Sequence, residues 1–224
     1  MRGRAAALRT TRKLFDLPDC MAALPMDARG YPVPEFVYWD DTGQPDFRII
    51  KPGWFTVCTA RKRCWLCGGG MGERKWFVTG PMCTITRTSA EPPCHKLCAE
   101  FAVKNCPFLT KPLAKRNERD LPLEHETAQG AIMRNPGVTA IWETRSYRVF
   151  GDGGGKALIE MGPPQMVTFW REGRKAEREE ILASIESGVP LLMEQAQKGG
   201  PADVRALIAL IDEYRKTILH KYAR

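Results

Sequence analysis

Hydrophobic and polar positions follow short strand-like patterns through the first three quarters of the chain and a helical period at its end. Glu35-Phe36-Val37-Tyr38-Trp39 and Phe47-Arg48-Ile49-Ile50 are rich in aromatic and β-branched residues. They flank Asp40-Asp41-Thr42-Gly43 and predict a small β-hairpin. Trp76-Phe77-Val78 and Met82-Cys83-Thr84-Ile85-Thr86 read as two further short strands separated by Gly80-Pro81. From Cys94 to Asn105 the composition suits a helix, with Ala99, Ala102 and Val103 on one face and Cys106-Pro107 ending it. Residues 138–150 and 156–161 predict a second hairpin around Gly151-Asp152-Gly153-Gly154-Gly155, with Val167-Thr168-Phe169-Trp170 as a third strand. The period then becomes helical over 176–187, 190–197 and 202–221. In the last segment Val204, Leu207, Ile208, Ile211, Tyr214 and Ile218 form one stripe, the pattern of a core or helix–helix face rather than a cofactor site.

These elements divide the chain into a basic tail (1–18), a β-rich region (19–110), a polar, proline-broken loop (111–136) and a hairpin with C-terminal helices (137–224). The second and fourth parts are expected to pack as one domain. Gly30-Tyr31-Pro32-Val33-Pro34 restricts its segment to extended and turn conformations. No apolar run approaches the roughly 20 residues that cross a bilayer, and the basic start lacks the apolar stretch of an export signal. A cytoplasmic protein without a membrane partner is the expectation.

Cysteine usage adds chemistry to this outline. Cys64-Trp65-Leu66-Cys67-Gly68 precedes His95-Lys96-Leu97-Cys98, so two ligand pairs lie on either side of the strand-like segment. A CxxC turn brings two thiolates toward one ion, and residues three apart share a helix face. Cys64, Cys67, His95 and Cys98 are therefore the predicted metal ligands, with zinc as the metal. A glycine run after the CxxC, where a redox motif of the thioredoxin kind would start a helix, disfavours the redox reading. Cys94 or Cys106 replacing His95 is the rival set, and Cys83 lies between the pairs; buried, inert thiols are the alternative for all three. Knuckle, hairpin, then helix carrying the last two ligands is the order of a treble clef. The expected fold class is thus α+β: a treble-clef-like zinc finger embedded in a small mixed β-sheet domain with a helical C-terminal part. Structural zinc contributes about 10–16 kcal/mol of binding energy in small modules, comparable to the whole net stability of a domain.

The formal net charge of +8 widens the picture to partners. Basic residues gather at Arg2, Arg4, Arg9, Arg12 and Lys13, at Arg61-Lys62-Arg63, at Lys111, Lys115, Arg116 and Arg119, and at Arg171, Arg174, Lys175 and Arg178. The last group is interleaved with acids, as a solvated surface would be. Arg61, Lys62 and Arg63, beside the knuckle, are the candidate nucleic-acid contacts.

No catalytic set emerges. His125 sits in a polar loop and His220 near a helix C-terminus, where the dipole suits it. The hairpin segment has no histidine or asparagine to support a treble-clef nuclease. Pro93-Cys94-His95-Lys96-Leu97-Cys98 misses the deaminase spacing by one residue. Gly151–Ala157 lacks the Walker pattern, and Glu177, Glu179 and Glu180 lie where a helix N-terminus favours acids.

Cys64-Trp65-Leu66-Cys67-Gly68, Gly80-Pro81-Met82-Cys83, Pro92-Pro93-Cys94-His95-Lys96-Leu97-Cys98-Ala99 and Cys106-Pro107-Phe108-Leu109 together resemble a family of uncharacterised phage, prophage and bacterial proteins. The likeness runs from Gly30 to Pro190. Many members carry serine just before the histidine, which implies that Cys94 is not a ligand. The resemblance implies a phage context and no particular activity. The functional expectation is a zinc-stabilised, phage-associated accessory protein contacting nucleic acid or a nucleoprotein complex. A protein–protein adaptor or inhibitor of a host protein, and a metal-dependent hydrolase or nuclease, are the alternatives.

Overall fold

The computed structural model describes residues 15–111, 137–151 and 157–223. The sequence expectations for the basic tail up to residue 14, the loop over 112–136 (His125 included) and the glycine turn at 152–156 lie outside the described residues. The first hairpin forms as expected: β1 (Val37–Trp39) pairs antiparallel with β2 (Pro45–Ile50). Asp40 closes its turn by accepting the N–H groups of Thr42 and Gln44, both at 2.9 Å, and Gly43 supplies the positive φ. A short helix that the sequence pattern had not suggested, α1 (Trp54–Arg61), follows and buries Cys58.

The next expected hairpin does not form. β3 (Lys75–Thr79) is a strand, but 81–86 is a helix, α2 (Pro81–Thr86), with Pro81 in its first turn and Arg87 capping its end in the left-handed region. The run from Met82 to Thr86 has β-favouring residues, yet Pro81 presets a helical φ, and the Thr84 hydroxyl donates to the Pro81 carbonyl at 2.6 Å. β3 pairs instead with a strand some 65 residues downstream (about one-third of the chain away in order).

That partner is β5 (Thr139–Thr144), at the centre of a four-stranded antiparallel sheet completed by β8 (Met166–Arg171) and β9 (Arg174–Lys175) in the order β3-β5-β8-β9. The run expected as one strand over 138–150 is therefore two. It breaks after Thr144, whose hydroxyl bonds to the Pro163 carbonyl at 2.9 Å, and continues as β6 (Tyr147–Gly151) in another sheet. This second sheet, ordered β4-β7-β6, contains β4 (Thr88–Ser89) and β7 (Ala157–Met161), with Tyr147 opposite Met161.

The remaining helices are α3 (Lys96–Asn105), α4 (Pro107–Thr110), α5 (Arg178–Gly199), α6 (Pro201–Tyr214) and α7 (His220–Tyr222), the last two joined by a π-helical turn over Arg215–Leu219. Contrary to the sequence pattern, α5 runs unbroken through Pro190. Ile181, Ile185, Leu192 and Ala196 carry one apolar stripe across the proline, and its burial outweighs the lost backbone bond. Glu177 and Glu180 start the helix as a reciprocal capping box.

Strand alternation decides where the two cores lie. On one face of the four-stranded sheet, Phe77, Ala140, Trp142 and Phe169 pack with α2, α5 and α6, burying Leu207, Ile211, Tyr214 and Ile218 of the predicted stripe. On the other face, Trp76, Val78, Ile141 and Trp170 pack with Met21, Cys58, Trp65, Cys98 and Val103. The cysteine-rich half is thus built on the back of the sheet that supports the helices.

Gly162 sits where that sheet meets the second one. Its carbonyl accepts the Trp142 indole N–H at 3.0 Å, and a Cβ added there would lie 2.4 Å from the Ser146 carbonyl oxygen. Gly162→Ala is expected to cost about 1–3 kcal/mol in thermal or denaturant unfolding. Gly72→Ala, where a Cβ meets nothing within 4 Å, is expected to leave the transition in place.

Candidate metal centre

The knuckle begins where α1 ends. Lys62 takes a left-handed conformation and turns the chain into Cys64-Trp65-Leu66-Cys67. The Gly68 N–H donates to the Cys64 carbonyl at 3.0 Å and the Cys64 N–H to the Gly69 carbonyl at 2.8 Å, closing a tight loop with Gly68 at φ 71°. Gly69 leaves room for the donors themselves: a Cβ there would lie 3.1 Å from His95 Cε1 and 3.4 Å from Cys67 Sγ. From the other side, Cys94 and Trp76 exchange both backbone hydrogen bonds, which fixes the chain just before α3. His95 is then the extended N-cap of α3 and Cys98 lies in its first turn.

Three of the four predicted ligands meet as expected, and the fourth member of the group is a surprise. Cys20, Cys67, His95 and Cys98 bring their donor atoms within 4.8 Å of one another. His95 Nδ1 is 3.2 Å from Cys67 Sγ and 3.9 Å from Cys98 Sγ, and Cys20 Sγ is 3.5 Å from Cys98 Sγ. Tetrahedral zinc would set sulfur–sulfur edges near 3.8 Å and sulfur–nitrogen edges near 3.5 Å, roughly these spacings. Cys20 comes from a single 3-10 turn, Asp19–Met21, held by Met21 in the core behind the sheet. No spacing motif links it to the other donors; only the fold brings it there.

Cys64, also predicted, lies against the same group but outside that set of four. It is fully buried, and its Sγ accepts the backbone N–H of Cys67 at 3.5 Å and of His95 at 3.4 Å. Four donors therefore converge, with the Cys64 sulfur packed against the backbone of two of them. Cys98 meets both Cys20 and His95, and Cys67 meets His95.

The imidazole is oriented for coordination. Its Nε2 lies 2.9 Å from the Gly70 carbonyl oxygen, which can only accept, so Nε2 carries the proton. In the neutral ring Nδ1 then has a bare lone pair facing the sulfurs, the arrangement of a metal-ligating histidine steadied by an outer carbonyl. The sulfurs polarise one another as well. Hydrogen bonds from Cys64 and then Cys98 hold the Cys67 thiol far below its usual range, whereas the hydrogen bond to Cys67 raises Cys64 to about 11 and those to Cys64 and Cys67 push Cys98 up. The converging sulfurs and Nδ1 are donors that a divalent cation could share.

The other cysteines behave as core thiols. Burial raises Cys83, Cys94 and Cys106, and raises Cys58 to about 12. Cys94 Sγ turns away from the cluster to the Trp76 carbonyl at 3.3 Å. Among the described residues no second group of histidine, cysteine and carboxylate donors converges, and no helix is long and apolar enough to cross a membrane. Arg61, Lys62 and Arg63 are exposed at the edge of the knuckle, where Arg63 bridges to Gly70 and its guanidinium donates to the Gly68 carbonyl at 3.4 Å.

No known protein family, curated protein or solved structure matches the chain.

Cys67→Ser and Cys98→Ser are each expected to abolish stoichiometric metal and to lower the melting temperature, read by elemental analysis and calorimetry. Cys20→Ser is expected to weaken binding without abolishing it, because the Cys64 sulfur lies beside the group, accepting the backbone N–H of Cys67 and of His95. Metal content unchanged in Cys67→Ser and Cys98→Ser would rule the centre out.

Proposed function

We propose that the donor cluster is a structural zinc centre and that the protein is an accessory binding module contacting nucleic acid or a nucleoprotein complex. Thiolates with one imidazole are a soft donor set that suits zinc, and with four or five protein donors available no coordination position is left for catalysis. The order of knuckle and then donor-bearing helix supports a treble-clef-like reading, although β3 between them joins the four-stranded sheet and Cys20 stands in the donor group where Cys64 was expected. The resemblance to phage and prophage proteins gives the setting, and metal–thiolate chemistry suits the reducing cytoplasm.

One observation carries the nucleic-acid reading. Arg61, Lys62 and Arg63 stand exposed with no carboxylate partner among the described residues. Elsewhere Arg29, Arg48, Arg74, Arg148 and Arg174 are each tied to an acid. Three adjacent cations left uncompensated beside a rigid knuckle form a docking surface for phosphates.

Replacing all three by glutamine is expected to weaken binding of a random-sequence DNA duplex uniformly. The slope of log affinity against log salt should become shallower by about 2.7, at about 0.9 per phosphate contact. Metal content serves as the folding control. An unchanged slope with metal retained would overturn the reading.

A further inference from the structure

The basic cluster that looked solvated in sequence splits apart in the fold. Arg171 and Arg174 turn to Glu180, at 3.2 and 2.7 Å. Lys175, on the same pair of strands, does not. It crosses the Trp170 indole with Nζ 3.9 Å from the ring centroid, and Lys104 of α3 approaches the same ring at 5.4 Å. The β8–β9 turn packs directly on the end of α3, so closely that a Cβ on Gly173 would lie 3.0 Å from the Lys104 carbonyl oxygen. Lys96, at the start of α3, completes the group. All three lysines are exposed, and the one acid recorded among them is Glu100, 3.9 Å from Lys96.

Their mutual field is felt. Partial burial depresses the Lys175 ammonium first, Glu100 opposes this, and Lys104 and then Lys96 add to the depression. Three ammonium groups with Glu100 as the one carboxylate among them keep a surplus of positive charge, which an anion stabilises. The kind of anion follows from where the lysines lie. Lys96 and Lys104 are separated by about 12 Å of helix rise. Lys96 follows His95, whose Nε2 bonds the Gly70 carbonyl, and Gly70 bridges to Arg63. The start of α3 is thus tied through His95 and Gly70 to the segment that carries Arg63, while Lys104 and Lys175 meet at Trp170, and a linear polyanion is the ligand that could span both groups.

We propose that Lys96, Lys104 and Lys175 extend the phosphate-binding footprint of Arg61, Lys62 and Arg63, so that one nucleic-acid backbone follows α3 across both groups. This rests on the nucleic-acid reading above and adds its path. A footprint of six cations predicts a salt slope near −5 on duplex DNA and near −4 on a single strand.

The test compares the wild-type protein, the triple glutamine variant of Arg61, Lys62 and Arg63, and the triple glutamine variant of Lys96, Lys104 and Lys175. Fluorescence anisotropy over a salt series uses a random-sequence DNA duplex and its single strand, with metal content and circular dichroism as folding controls. The lysine variant is expected to make the duplex slope shallower by about 2.7, as much as the arginine-containing variant does, and the two losses should add. A lysine variant with the wild-type slope, beside an arginine-containing variant that loses its share, would overturn the path and leave the function standing. Capture of the lysine face by anionic lipid vesicles, with that same unchanged DNA slope, would also overturn it. A wild-type protein that binds neither DNA form would overturn the function itself.

Discussion

Three sulfurs and an imidazole nitrogen within 4.8 Å of one another, with the buried Cys64 sulfur against them, are the constraint around which the cysteine-rich half is built. Deprotonated together, the thiolates would repel strongly in a site shielded from water. Protonated together, they give up most of their attraction for one another. A divalent cation would resolve the conflict, and structural zinc in small modules contributes about 10–16 kcal/mol, comparable to the net stability of an ordinary domain. The surroundings are compatible with such an ion. Gly69 keeps a side chain out of the donors' space, Gly70 fixes the histidine proton, and two backbone N–H groups point at Cys64.

The sheet behind the cluster carries that constraint to the rest of the chain. β5 is buried on both faces, and successive residues serve different cores: Ala140 and Trp142 face the helices, while Ile141 faces the cysteine-rich half. A change in register between β3 and β5 would therefore exchange the two sets of side chains and damage both cores at once. The stacked pair of Phe36 and Trp65, with centroids 5.0 Å apart, ties the first hairpin to the knuckle in the same way.

Features carried by local spacing were legible in the sequence, and features created by distant contacts were not. Cys64-x-x-Cys67 and His95-x-x-Cys98 announce converging donors because a turn and a helix face impose the geometry within a few residues. Cys20 announces nothing: it reaches the cluster only because Met21 anchors its turn in a core assembled from distant segments. The β-favouring run from Met82 to Thr86 was misleading because Pro81 and the contacts of α2 with α5 and α6 outweigh its residue preferences. Pro190 misled in the opposite sense, since the apolar stripe on either side of it is worth more than one backbone bond. The lysines on Trp170 were hidden because charge interleaving along a chain says little about which cations find acids in space.

The pairing of β3 with β5 also sets an order of events during synthesis. All four donors have been translated once residue 98 is made, whereas β5 does not begin until Thr139. As the chain emerges from the ribosome, the cysteine-rich half could take up an ion well before the strand that completes its sheet is available. In that interval β3 has an unpaired edge and one uncovered apolar face. A nascent chain already clamped by metal would hold that edge in the correct register for the arriving strand. A chain starved of metal would present the same edge on a loosely held segment, open to pairing with a neighbouring copy.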